Sequence, residues 1–366
     1  MPILHEEQNL KEIYQVERLL GEGAFAEVYR VQHRFLGRQA MKVLKTPGVT
    51  LGEIDQMLGE AALLSRIGHP NIIRVFDANT LDLSDGLYGF FTMEYVAGGS
   101  LDRFWRSYRN CLMPVNQAIQ VMQQVCAGLA VAHAEEPPIV HRDIKPQNIL
   151  IGYDGTGMHV RVSDFGLAKR VNPLTLLVSA KGTLSFKPPE SFENQDSPAA
   201  DVWAVGTTLY LLLTDTLPYP ELGERDISNA SRFIRPLRPA SIYNIAVDSY
   251  LESILSRCLA KNPSDRYKDA TEVLEDLNRW RMRSADISSS MMSSSVFGDE
   301  KKLRGVPSPE DSDKTQDLIR LALEMSRNPG RLVDAADLLE EAINKAPELK
   351  KQYENQLKLW RRGICM

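Results

Sequence analysis

The hydrophobic pattern of this chain changes period once, near residue 97, and that change limits the folds open to it. Before it, apolar residues come in short β-branched and aromatic runs separated by turn residues: Tyr14–Leu20, Glu27–Gln32, Gln39–Leu44 and Gly89–Val96. One helical spacing interrupts them, with Ile54, Met57, Leu58, Ala61, Leu64 and Ile67 leading up to Gly68. From Leu101 onward the pattern is mostly helical, with amphipathic stretches over Val115–Ala134, Ala200–Leu213, Ser249–Leu259 and Ala270–Arg281. A small strand-rich lobe followed by a larger helical lobe makes an α+β fold with a cleft between the lobes, the usual place for a ligand.

Composition removes several function classes. The 366 residues are 43% hydrophobic with a formal net charge of -5, so neither wholesale disorder nor a global attraction to nucleic acid is expected. Cys111, Cys126, Cys258 and Cys365 show no C-x-x-C spacing and read as reduced thiols of a cytoplasmic protein. The first residues lack the basic and apolar regions of a signal peptide. The most apolar run, Val202–Leu213, is shorter than the ~20 residues a bilayer requires. No nucleic-acid partner and no membrane span are expected.

Serine and methionine dominate residues 284–295, and charge, Pro and Gly follow. Such a stretch buries too little apolar surface to offset its backbone entropy. It divides the chain into a main unit over 14–283 (small lobe 14–96, large lobe 97–283), a flexible linker over 284–313 and a helical tail over 314–362.

Three motifs carry chemistry. Gly21-Glu-Gly23-Ala-Phe-Ala26-Glu-Val28 lies between two strand patterns, where glycines let backbone N–H groups approach a phosphate. Lys42, flanked by apolar residues on a strand, needs an anion if buried, and Glu60 on the following helix is the candidate. The deciding motif is His141-Arg142-Asp143-Ile-Lys145-Pro-Gln147-Asn148-Ile-Leu150, followed twenty-one positions after Asp143 by Asp164-Phe165-Gly166. Phosphoryl transfer uses this set: one carboxylate near the acceptor hydroxyl, a carboxylate and an amide oxygen for Mg²⁺, and a lysine against the phosphoryl charge.

From about Tyr14 to Trp280 the sequence resembles the eukaryotic-type (Hanks) serine/threonine protein kinases. The resemblance implies a two-lobed kinase fold and ATP with Mg²⁺, or Mn²⁺ in its place. It gives Gly21, Gly23 and Ala26 the ATP phosphates. Leu20, Val28, Ala40 and Leu150 become the adenine pocket, with Met93 as gatekeeper and Glu94 and Val96 as the hinge. Lys42, paired with Glu60, binds the α- and β-phosphates. Asp143 is the base, Lys145 the γ-phosphate ligand, and Asn148 and Asp164 the metal ligands. Leu64, Val75, His141 and Phe165 match the apolar spine of the active state, which makes His141 a packing residue. Glu190, in a Pro-Pro-Glu that replaces the usual Ala-Pro-Glu, pairs with Arg266, and Asp201 braces the catalytic loop. Lys145 and Thr183 are the serine/threonine form. Ser100 and Gln147 are uncharged where arginine-directed relatives carry acids. Ser179, then Thr175, are the expected regulatory phosphorylation sites, facing Arg142 and Lys169.

In the tail, Ala335, Leu339, Ala342 and Pro347 match the second half of a tetratricopeptide repeat, whereas Ile319 stands where an aromatic is usual. One such hairpin must dock or dimerise to cover its apolar face. The expected partners are protein substrates, a protein bound through the tail, and a second copy for autophosphorylation. The rival reading is a pseudokinase scaffold that presents the tail to a partner.

Overall fold

In the computed structural model, the described residues are 2–23, 26–45, 59, 67–84, 86–108, 112–154, 157–165, 184–193, 197–219, 233–293, 309–326, 332–346, 349, 353, 357 and 360. The small lobe is a six-stranded antiparallel sheet in the order β1-β2-β3-β4-β6-β5. Its strands are β1 (Asn9–Leu10), β2 (Tyr14–Glu22), β3 (Ala26–His33), β4 (Gly37–Leu44), β5 (Val75–Leu83) and β6 (Gly86–Glu94). Alternation along the strands sorts side chains onto two faces. Tyr14, Val16, Tyr29, Val31, Met41, Val43 and Phe90 form one buried cluster with Leu4 and Leu10. Ala40, Phe91 and Met93 turn the other way and join the core of the large lobe.

The strand β5 carries Asp77 and Thr80, half-buried, and Asn79 and Asp82, exposed, because it is an edge strand paired only to β6. Its polar composition hides it from a period-two reading. The expected helix over 54–67 lies outside the described residues apart from Gly59.

The large lobe is built on α1 (Leu101–Arg106), α2 (Val115–His133), α3 (Pro198–Thr214), α4 (Ser249–Cys258) and α5 (Ala270–Ser293). Helix α2 buries Ala118, Ile119, Met122, Val125, Cys126, Leu129 and Ala132 along one stripe. Gly128 lets α2 approach closely, since a Cβ there would sit 2.9 Å from the Asn71 carbonyl oxygen. Helix α3 is buried along nearly its whole length and ends on Asp215 in the left-handed region, φ 57°. Asp248 caps α4 by accepting the Leu251 N–H at 2.7 Å, and its other oxygen accepts the Trp280 indole N–H at 2.9 Å. The sequence reading of this half as mostly helical omitted one hairpin. Strands β7 (Ile149–Asp154) and β8 (Gly157–Val162) line the cleft below the small lobe.

Helix α5 runs on to Ser293, into the span expected to be linker, and α6 (Pro309–Met325) begins before that span ends. The turns up to Ser293 continue the helical backbone of α5. Helices α6 and α7 (Leu332–Lys345) bury Leu318, Leu321, Ala322, Met325, Ala335, Leu339 and Ala342 in the same core cluster as the large lobe. Among the described residues, no helix is long and apolar enough to cross a membrane.

Candidate active site

The roof of the cleft comes from strand register. Val28 on β3 pairs directly with Lys42 on β4, and Ala40 pairs with Met93 on β6. Leu20, Val28 and Leu150 are half-buried against the core that contains Ala40, Met93 and Val96. These expected adenine-pocket residues are therefore brought together. The Gly23 N–H donates to the Ala26 carbonyl at 2.8 Å, which closes the turn between β2 and β3.

The hinge joins the lobes through Glu94 to Gly99. The Glu94 carboxylate receives both of its bonds from Arg161 Nε of β8, at 3.0 and 3.1 Å. A Cβ on Gly98 would lie 2.2 Å from the Ile151 carbonyl oxygen, so only glycine fits that approach. The next carbonyl, Gly99, accepts the Ile151 N–H at 2.8 Å.

Lys42 is buried, with its ammonium 2.5 Å from Asp164 Oδ1 and 5.6 Å from the Phe91 ring centroid. The expected partner Glu60 lies outside the described residues, as do Ser179 and Thr175. Among the described residues, the anion beside Lys42 is Asp164. Burial opposes ionisation of Asp164, but the Lys42 charge and hydrogen bond outweigh it, so its carboxyl titrates below the usual range.

The catalytic loop turns on a strained residue. Arg142 has φ 72° and Asp164 has φ 63°, both in the left-handed region. Such backbone costs about 1–3 kcal/mol per residue and persists only where the surroundings impose it. At Arg142 the holder is Asp201 of α3. Its two oxygens accept the backbone N–H of His141 at 2.6 Å and of Arg142 at 2.8 Å. Lys187 Nζ donates to the Arg142 carbonyl at 2.6 Å. His133, at the end of α2, bonds Asp201 at 3.0 Å through Nε2, while its Nδ1 accepts the Ala270 N–H. His133 and Lys187 were not singled out from sequence. A lone histidine closing a helix carries no motif, and Lys187 stands beside an activation segment read for its Pro-Pro-Glu.

His141 is fully buried, and that burial holds its imidazole below the ordinary value. Nδ1 accepts the Asp143 N–H and Nε2 donates to the Ser163 carbonyl at 2.9 Å. Its ring packs on Phe165 with centroids 4.4 Å apart. It positions the loop from behind. In front, Asp143 lies 2.8 Å from Lys145 Nζ, and Asn148 Nδ2 donates to the Asp143 carboxylate at 2.9 Å and to its carbonyl at 2.8 Å. The nearby Gln147 amide donates to Asp102 on α1 at 2.9 Å.

A bound Mg²⁺ requires hard oxygen donors, and the site can supply them. Asn148 uses its amide NH₂ on Asp143, which leaves the amide oxygen as its ligand atom. Asp164 is held ionised. The residues present fit the nucleotide and metal that the motif implies.

Farther back, Arg266 and Glu190 make a buried two-armed ion pair at 2.5 and 2.8 Å. Arg266 also donates to the carbonyls of Ala199, Ala260 and Lys261. This ties the end of the activation segment to the start of α4's following loop.

The family model described as the protein kinase domain matches residues 14–277. The chain belongs to the protein kinase family. Its kinase region is 33% identical over 270 residues to the serine/threonine-protein kinase PrkC of Bacillus subtilis, covering 72% of this chain and 40% of the relative. It is 31% identical to the serine/threonine-protein kinase PknB of Mycobacterium leprae, covering 74% and 43%. The chain thus spans about two fifths of the length of these curated relatives. The PknI kinase domain of Mycobacterium tuberculosis superposes with a TM-score of 0.56 at 26% identity, covering 75% of this chain and 99% of that one. A double mutant of the same kinase domain gives 0.58 at 24% identity.

Proposed function

We propose that this protein kinase is an ATP- and Mg²⁺-dependent serine/threonine kinase that phosphorylates protein substrates and itself. The observation that carries the reading is the contact set Asp143–Lys145–Asn148, facing the Lys42–Asp164 pair across the cleft. The relatives named serine/threonine kinases support the acceptor class.

In this mechanism Lys42 holds the α- and β-phosphates beneath the turn formed by Gly21, Gly23 and Ala26. Leu20, Val28, Ala40 and Leu150 enclose adenine, Met93 limits the depth of the pocket, and the backbone of Glu94 and Val96 bonds the base. Asn148 and Asp164 would hold the metal, which supplies neutralisation of phosphate charge when bound. Asp143 orients the acceptor hydroxyl and takes its proton late, while Lys145 stabilises the charge on the moving phosphoryl group. Glu60 pairs with Lys42 in the active state, and phosphate on Ser179 or Thr175 orders the activation segment. Incubation with radiolabelled ATP tests the core of this: Asp143→Asn should abolish transfer, a loss of about 10²-fold or more, yet still bind ATP. Equal labelling of both proteins would return the scaffold reading.

The remaining assignments follow from the same reading. The catalytic unit spans 14–283, the connecting segment 284–313 and the tail 314–362. The tail is a tetratricopeptide-like hairpin, supported by the burial of Ala335, Leu339 and Ala342. Autophosphorylation proceeds through a transient dimer. The kinase works in the cytoplasm: Cys126 and Cys258 are free and buried, with both thiols pushed up, Cys258 to about 12, by burial.

A further inference from the structure

The small lobe contains a charge arrangement that the kinase reading does not use. Arg18 of β2 and Arg30 of β3 are direct cross-strand partners, and Arg38 of β4 lies on the same face next to them. Like charges placed opposite each other in a sheet are unfavourable. Here a carboxylate from the other end of the chain lies between them. Asp334 of α7 is 1% exposed and receives the guanidinium groups of both Arg18 and Arg30. Arg38 pairs with Asp337, one turn further along, at 3.1 Å. Tyr95, at the hinge, lies under Arg30 with 5.7 Å from guanidinium to ring centroid.

The other helix of the same hairpin holds the large lobe. Asp317 of α6 receives the side-chain amide of Gln117 on α2. Arg320 lies over the Tyr108 ring at 3.6 Å and the Phe104 ring at 5.5 Å. Between the two anchor sets, Leu321 reaches the hinge itself, 3.5 Å from where a Gly98 Cβ would stand.

We propose that the C-terminal helices are an intramolecular brace across the outer side of the hinge, locked to the small lobe by Asp334, which limits rotation of one lobe against the other. The occupant of this surface is the chain's own tail. The arginines of three strands match the acids of α7 in charge, and the hairpin's apolar residues are already in the large-lobe core. A hinge rotation must carry Arg18 and Arg30 away from Asp334 or drag α6 from Tyr108. Interlobe motion gates nucleotide entry and release, so the brace sets that rate; this last clause rests on the kinase reading.

Hydrogen exchange on the full chain tests the brace without requiring catalysis. Wild type is compared with Arg18→Ala/Arg30→Ala, which changes only the small lobe, and with the milder Asp334→Asn. Removing one side of a buried ion pair should speed exchange of α7 amides on the order of a hundredfold in the arginine variant, with a smaller increase in Asp334→Asn. Unchanged α7 exchange in both variants overturns the proposal. So does wild-type exchange in α6 and α7 at the rate of an undocked helix, which would hand this face to a protein partner. Release of a fluorescent ATP analogue should be faster in both variants. A wild type that binds no nucleotide at all refutes the kinase reading and leaves the exchange data to judge the brace.

Discussion

Asp201→Asn isolates the clasp that holds the catalytic loop in its left-handed turn. The carboxylate accepts three bonds: His141 N–H at 2.6 Å, His133 Nε2 at 3.0 Å and Arg142 N–H at 2.8 Å. Two of them share Oδ2, so the asparagine keeps its oxygen there and turns its NH₂ toward Arg142. Two charge-assisted bonds become neutral, losing about 0.5–1.5 kcal/mol each. The third becomes a donor facing a donor in a buried site, costing about 1–3 kcal/mol. The sum is about 2–6 kcal/mol, and urea unfolding should show it as a lower midpoint with the slope unchanged. The same change frees Arg142 to leave φ 72°, so Asp143 loses its placement and kcat falls well beyond what the unfolded fraction explains. A variant that loses less than about 1 kcal/mol, or keeps wild-type kcat at a temperature where it is fully folded, would refute the reasoning.

Three more outcomes follow from the geometry. Arg266→Met leaves Glu190 uncompensated and three carbonyls without their donor, and should cost about 3–5 kcal/mol in denaturant unfolding; restoring much of this by adding Glu190→Gln checks the pairing. Gly98→Ala forces a Cβ within 2.2 Å of the Ile151 carbonyl oxygen, so calorimetry should report a loss of about 1–3 kcal/mol with reduced ATP affinity from the displaced hinge. His141, Asp164 and Asp201 all titrate below their ordinary values in the fold, His141 through burial and the two aspartates through Lys42 and His133 against an opposing burial effect. Each therefore adds stability that is complete above its unfolded value and lost as pH falls. A thermal midpoint measured against pH should begin to drop through 6.5, the ordinary histidine value, and steepen below 3.8, the ordinary aspartate value. A midpoint that rises on acidification contradicts this.

The sequence made some parts of this molecule legible and concealed others. Local chemistry was readable: Asp143, Lys145 and Asn148 meet because they share one short loop, and Val28 and Lys42 meet because a hairpin fixes their register. The helices α2, α3 and α4 were readable from their apolar spacing. The strand β5 was not, because its polar residues are accommodated singly: Asp77 accepts the Tyr14 hydroxyl, Asn79 accepts Lys11, and Asp82 is exposed on an edge strand. The partners of the site across long separations were equally hidden. His133 resembles any helix-ending histidine until Asp201 is beside it. Arg18, Arg30 and Arg38 resemble an ordinary solvated strand edge until Asp334 arrives from the far end of the chain.

That arrival has a meaning for synthesis. Arg18 and Asp334 are 316 positions apart, and Arg30 and Asp334 are 304. The strands β2 and β3 are made well before Asp334, and until it follows, Glu17 of β2, paired with Arg30, is the carboxylate beside their arginines. Two cations, Arg18 and Arg30, then stand in register with the Glu17 carboxylate of their own lobe between Arg30 and Arg38. A chain cut by a protease between α5 and α6 retains the motifs of the kinase region yet leaves Arg18 and Arg30 without Asp334. Fragments that lack α7 thus carry a handicap in the small lobe by which a cell's degradation machinery can tell them from chains that hold it.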